Sequence, residues 1–136
     1  MNRTAVSEFL RDVVVVLGIL AASALYVTRF VAIPWVVLGP SMRPTLEPGD
    51  RVLVDLWTYR QRPPRSGEVV LASGPGDAPL VKRIASGPDE TGSYVVLGDN
   101  AAASADSRQF GVLPRRSFQG RLVFRYWPPT RAGSIR

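Results

Sequence analysis

Cysteine and histidine are both absent from the 136 residues, and lysine occurs once, as Lys82. Without cysteine the chain can form no disulfide, no thiolate metal site and no cysteine nucleophile, and it is compatible with an oxidising compartment. Without histidine it lacks the usual general base, the usual catalytic triad and the commonest metal ligand. Any acyl-transfer chemistry must therefore use another proton acceptor, and lysine is the candidate. No cofactor and no metal are expected. Acidic residues are in the minority, 11 against 17 basic ones, for a net charge of +6. All the basic residues except Lys82 are arginines. They are scattered along the chain with no run longer than two, so a nucleic-acid partner is not expected; a domain tethered beside anionic headgroups carries similar charge.

What the chain does contain is one long apolar run. Val13 to Val27 is uninterrupted, and with Thr28 and Arg29 included the expected helix reaches Ile33. A helix over 13–33 spans about 31 Å, the thickness of a bilayer core. Pro34 disfavours helix at the preceding residue. Residues 1–12 then form a short N-terminal segment, 13–33 an anchor and 34–136 a single domain. Arg3, Arg11 and the amino terminus precede the span, which by the positive-inside rule puts the N-terminus in the cytoplasm, although Arg29, Arg43 and Arg51 follow it. The expectation is a single-pass protein of the cell (inner) membrane with its domain outside the cytoplasm. A cleavable leader is the alternative, because Ala22-Ser23-Ala24 has the small-x-small form. The apolar run continues through Leu25-Tyr26-Val27 without a polar segment, which favours a retained anchor.

After Pro34 the texture changes to short apolar runs separated by Gly, Pro, Asp and Ser, the pattern of an antiparallel β domain. Strands are expected at Trp35–Leu38, Val52–Trp57, Glu68–Ala72, Leu80–Ala85, Ser93–Leu97 and Arg121–Trp127. The expected fold is mainly β, a curved antiparallel sheet or partly closed barrel, with one N-terminal transmembrane helix.

Three segments carry chemistry. Lys82 lies in the apolar run Leu80-Val81-Lys82-Arg83-Ile84, where a charge is costly to bury. A desolvated lysine can lose its proton and an arginine cannot; a lysine snorkelling from a strand edge is the other reading. Ser41 stands between Pro40 and Pro44, which restrict the backbone on both sides and suit a nucleophile beside an oxyanion hole. An ordinary loop has the same look. Finally, in an extended chain Ser104, Asp106 and Arg108 share a face. Asp106 and Arg108 can pair, and Ser104 can orient an amine; a solvated polar turn is the alternative.

Together these segments resemble the type I signal peptidases. The likeness rests on Ser41-Met42-Arg43-Pro44-Thr45-Leu46, Gly49-Asp50-Arg51-Val52-Leu53-Val54, Val81-Lys82-Arg83-Ile84, Gly98-Asp99-Asn100 followed by Ser104-Ala105-Asp106-Ser107-Arg108, and the closing Phe124-Arg125-Tyr126-Trp127-Pro128-Pro129. The resemblance implies that Ser41 attacks the scissile carbonyl, that neutral Lys82 takes its proton and that Ser104 holds the amine. It implies an oxyanion hole at Ser41 and Gly39, with Asp99, Asp106 and Arg108 as structural support. Met42, Leu46, Leu80 and Val81 match the pocket for the last residue of a signal peptide, and Trp35 and Val37 the region for the third-last. The implied substrates are preprotein signal peptides, cut after small residues.

Three departures stand out. Gly39 occupies a position where some relatives place a hydroxyl donor, Ala101 to Ala103 replaces residues that are often polar, and the stretch after Ile84 lacks the family's frequent Pro-Gly-Asp turn. A narrow-client maturation protease of the same family and a non-catalytic tethered β module are the rival readings. A self-cleaving repressor would need a DNA-binding domain, which the twelve residues before the anchor cannot make.

Overall fold

The computed structural model describes residues 3–136, with side chains described at 6–27 and 31–136. The chain divides into two compact units, residues 1–31 and 32–136. The first contains helix α1, Arg3–Phe30. Within it Val6–Val27 is long and apolar enough to cross a membrane, and its side chains are almost all exposed. The helix is shifted from the expected 13–33. It starts ten residues earlier, because Glu8, Arg11 and Asp12 do not interrupt helical backbone even though they interrupt the apolar run. It stops at Phe30, because Ala32 already pairs with the sheet.

The second unit is an eight-stranded antiparallel sheet, curled into a half-open barrel. Its strands are β1 (Ala32–Val36), β2 (Arg51–Asp55), β3 (Val69–Ser73), β4 (Pro79–Ser86), β5 (Ser93–Leu97), β6 (Leu113–Pro114), β7 (Phe118–Trp127) and β8 (Gly133–Ser134). The order is β1-β2-β7-β3-β4-β5-β6, with β8 on β7. Two four-residue helices, α2 (Thr58–Gln61) and α3 (Ser107–Phe110), lie in the connections. All six expected strands are present, Ser93–Leu97 with the expected ends and the other five with shifted ones. The first begins at Ala32, and β7 begins at Phe118 because Gly120 continues the strand: a Cβ there would lie 2.6 Å from Asp55 O and 2.7 Å from Val54 Cγ1, so glycine lets β2 and β7 approach.

Strand β3 explains how the core is divided. Val69, Val70, Leu71 and Ala72 are all buried, and alternation along a strand sends successive side chains to opposite faces. Val69 and Leu71 join Val37, Met42, Leu46, Val52, Val54 and Leu122 in one cluster. Val70 and Ala72 join Tyr59, Ile84, Tyr94, Val96, Leu113 and Phe118 in the other, where the Tyr94 and Phe118 rings meet edge to face at 5.1 Å. A strand apolar on both faces is a central strand, and β3 does lie between β7 and β4. Lys82 is registered opposite Val70 and so points into the cover of the second cluster.

Candidate active site

The serine loop is a single turn of 3-10 helix, Pro40–Met42, entered from Gly39 and closed by a hydrogen bond from Arg43 N to Pro40 O at 3.2 Å. The first N–H groups of such a turn have no partner within it, and that of Ser41 is among them. Met42 is buried to 1% exposure and pins the turn to the first core. Lys82 projects from β4 at 5% exposure, and its Nζ lies 2.8 Å from Ser41 Oγ. Residues 41 positions apart are thereby joined by the only hydrogen bond of the Lys82 side chain among the described residues. Burial pulls the amine below the ordinary lysine range, Arg108 assists, and the Asp106 carboxylate opposes the shift.

Ser104 is 6% exposed, but its hydroxyl donates to Asp106 Oδ2 at 2.6 Å. The expected contact from Ser104 to the amine is thus replaced by one to the carboxylate. With its proton committed there, the Ser104 oxygen is left with lone pairs only. Asp106 is fully buried and also accepts from Gly98 N at 2.8 Å. Asp106 and Arg108 do pair, at 2.8 Å from Nε and 2.5 Å from Nη2. The expected geometry was different, because Arg108 lies in α3 and not in extended chain. Asp106 caps that helix through Arg108 N, and Gln109 Oε1 accepts from Asp106 N in return, a reciprocal capping box. The Arg108 guanidinium holds the Asp106 carboxyl far below the usual carboxylate range.

A second set of contacts fixes the loop from below. Asp99 accepts from Thr45 Oγ1 at 2.6 Å and from Arg83 Nε and Nη2 at 2.9 and 2.6 Å, so it joins the serine loop to the residue after Lys82. Burial alone would raise the Asp99 carboxyl, but these bonds outweigh it and hold the group low. Asn100 donates from its backbone to Ser41 O at 2.9 Å and from its side chain to Pro40 O at 3.2 Å. Arg125 donates to Thr45 O at 2.9 Å and to Asp50 Oδ2 at 3.2 Å, and Arg131 reaches the other Asp50 oxygen. Asn100, Arg125, Asp50 and Arg131 are absent from the residues expected at the site. Asp50 stands in the segment Gly49-Asp50-Arg51-Val52-Leu53-Val54 with no role expected of it; its 1% exposure is what marks it.

A cleft of about 200 Å³ opens beside the pair, lined by Trp35, Val37, Leu38, Gly39, Met42, Leu80 and Val81 together with Pro79. Leu46 is an exception among the expected lining residues. It is fully buried in the first core and lies under the cleft wall, because its N–H is spent on Met42 O at 2.9 Å, which turns the chain inward. Leu38, 82% exposed, takes a place at the rim that the sequence did not suggest.

This constellation has counterparts in known proteins. The chain matches the family model for signal peptidase, peptidase S26, over residues 10–91 and 88–127. It belongs to that family. Signal peptidase I of Leptolyngbya laminosa is 29% identical over 164 aligned residues that cover 88% of this chain and 80% of that protein. Probable signal peptidase I-1 of Synechocystis sp. is 27% identical, with 94% of this chain and 88% of that protein covered. Signal peptidase IB of Staphylococcus aureus is 25% identical over 75% of this chain and 81% of that protein.

The buried amine has a consequence for stability in this family member. Its pKa is lowered in the folded state, so between that value and the unfolded value of about 10.4 the unfolded chain binds more protons, and stability rises with pH. Below the interval Lys82 is charged in both states and its burial opposes folding in full. Lys82→Met is therefore expected to raise the thermal midpoint at pH 7, with the gain shrinking as pH approaches 10. Equal midpoints at pH 7 would show that Ser41 and Asp106 compensate the charge completely.

Proposed function

We propose that this chain is a membrane-anchored serine endopeptidase that removes signal peptides from exported preproteins. The observation that carries the reading is the 2.8 Å approach of Lys82 Nζ to Ser41 Oγ, made by the one lysine of a chain without histidine. Ser41 Oγ attacks the scissile carbonyl carbon and its proton passes to neutral Lys82. The oxyanion is met by the Ser41 N–H, which the turn itself does not use. As the intermediate collapses, the Lys82 ammonium returns the proton to the leaving amine, and the acyl group remains as an ester on Ser41. Water then attacks the ester with Lys82 again taking the proton, and the serine is released. Asp106 takes the Ser104 proton in a hydrogen bond and so leaves the Ser104 oxygen to act as an acceptor. Trp35, Val37, Met42, Leu80 and Val81 give the cleft its apolar walls. Val6–Val27 supplies the anchor, with the N-terminus in the cytoplasm and the domain outside it.

The test is the purified full-length chain in detergent or lipid with a preprotein bearing a signal peptide. Wild type is expected to release a mature protein whose new N-terminus follows small residues at the last and third-last positions. Ser41→Ala is expected to release none; undiminished cleavage by that variant overturns the assignment.

Gly39 offers a gain-of-function test. Its backbone, φ −110° and ψ 164°, is open to any residue, and a Cβ there meets nothing within 4 Å. A single oxyanion donor is worth roughly 100- to 1000-fold in other hydrolases. Gly39→Ser, adding a hydroxyl at the mouth of the hole, is expected to raise kcat by about tenfold with KM nearly unchanged. No change in kcat would mean that a backbone N–H already fills the second position.

A further inference from the structure

The peptide units on both sides of Ser41 are held by one residue. Asn100 donates from its side-chain Nδ2 to Pro40 O at 3.2 Å and from its backbone N–H to Ser41 O at 2.9 Å. Arg43 N, at 3.2 Å, is the second donor to Pro40 O, so both lone pairs of that carbonyl are occupied. An asparagine at the head of a helical turn ordinarily folds its side chain back onto the N–H groups of that turn. Asn100 heads the 3-10 turn Ala101–Ala103 and makes no such bond. Its carboxamide is committed instead to a carbonyl 60 positions away.

We propose that the Asn100 carboxamide is a positioning residue for the oxyanion hole, aiming and polarising the Ser41 N–H through Pro40 O. The proposal rests on the reading of Ser41 as nucleophile given above. A peptide unit is planar, and in the trans form, which the Pro40–Ser41 bond has, its C=O and N–H point in opposite directions. Fixing Pro40 O therefore fixes where the Ser41 N–H points. The proline ring already sets the Pro40 φ, so the motion left to this unit is a crankshaft turn about Pro40 ψ and Ser41 φ, and the Asn100 bond opposes it. A donor on the carbonyl end of an amide also strengthens donation from its N–H end, by roughly 10 to 30% per bond. The oxyanion develops only on the way to the tetrahedral intermediate, so the benefit falls on kcat and not on substrate binding.

The experiment uses the full-length chain in detergent with Asn100→Ala and the near-isosteric Asn100→Asp, whose carboxylate cannot donate to Pro40 O. Both variants keep the backbone bond from residue 100 to Ser41 O. The readouts are kcat and KM on a preprotein, and inhibition by a peptide aldehyde with a small last residue and by the corresponding peptide alcohol. Ser41 Oγ bonds to the aldehyde carbon, the π pair moves onto the aldehyde oxygen and the serine proton passes to Lys82; the alcohol fills the cleft but cannot add. A whole oxyanion donor is worth roughly 100- to 1000-fold in other hydrolases, and Asn100 aims a donor without being one. In both variants kcat is therefore expected to fall by about tenfold with KM nearly unchanged. The aldehyde is expected to weaken by the same factor, and the alcohol to bind as it does to wild type. Wild-type kcat in both variants overturns the proposal, as does a fall in kcat that the aldehyde does not follow. Equal weakening of aldehyde and alcohol assigns Asn100 to the general shape of the cleft and overturns it as well. A wild-type chain that cleaves no preprotein and binds the aldehyde no more tightly than the alcohol overturns the reading of Ser41 as nucleophile together with this one.

Discussion

Lys82→Arg is expected to abolish cleavage as completely as Ser41→Ala, by more than about a thousandfold in kcat/KM, with the fold intact. Arginine preserves the charge but stays protonated, so it cannot accept the Ser41 proton. Sixteen positions in this chain use arginine for charge, and the 5% exposed position 82, beside a serine hydroxyl, is the one that does not. The measurement is cleavage of a preprotein by each variant, with thermal unfolding in parallel. Lys82→Met, which removes the charge, controls for the bulk of arginine and is expected to be equally inactive and at least as stable at pH 7. If the arginine variant keeps more than about a tenth of the wild-type rate, a loss under about 1.4 kcal/mol, Lys82 is not the base.

Gly98→Ala is expected to cost nearly as much, for a steric reason. A Cβ at 98 would lie 2.1 Å from Ser104 Oγ, 2.6 Å from Ser104 Cβ and 2.6 Å from Ser41 O. The Ser104 side chain cannot swing away without leaving Asp106, and Ser41 O is backbone, bonded to Asn100 N. One methyl group therefore presses on the two serines at once. Overpacking of this kind costs about 1 to 3 kcal/mol in stability, and displacing a nucleophile by about 1 Å costs on the order of a hundredfold in rate. The expected result is a folded protein with a lower thermal midpoint and kcat reduced by about a hundredfold or more, while KM moves little. Wild-type kcat in the alanine variant would show that the turn yields without moving Ser41.

Residues of distinctive chemistry were legible in the sequence as candidates, and residues held in place by packing were not. Lys82 stood out as the one lysine of a chain without histidine, and Ser41 because two prolines bracket it. The longer strands showed as short apolar runs between Gly, Pro, Asp and Ser; β6 and β8, at two residues each, are too short to carry a period. Asp106 and Arg108 were paired correctly for the wrong reason, since a helix cap joins them and alternation does not. Gly98 appeared only as part of the Gly98-Asp99-Asn100 segment, but its backbone serves as the surface against which Ser104 and the serine loop rest. Asp50, Arg125 and Arg131 are separated by as many as 81 positions, and only the curl of the sheet makes them neighbours. Leu46 shows the converse: an apolar residue five positions after Ser41 looks like pocket wall, and a hydrogen bond turns it into core.

The tie between the serine loop and the far end of the chain bears on when the protein becomes competent during its synthesis. Ser41 is made early, yet Thr45 O is held by Arg125, and Asp50, which accepts from Glu47 N at 2.9 Å, is held by Arg125 and Arg131. A nascent chain that has not yet delivered Arg131 has Ser41 and even Lys82, but not the clamp that holds the serine loop. On the proposed reading, a ribosome-bound intermediate is expected to stay idle, toward its own apolar helix included, until nearly all of the domain has emerged.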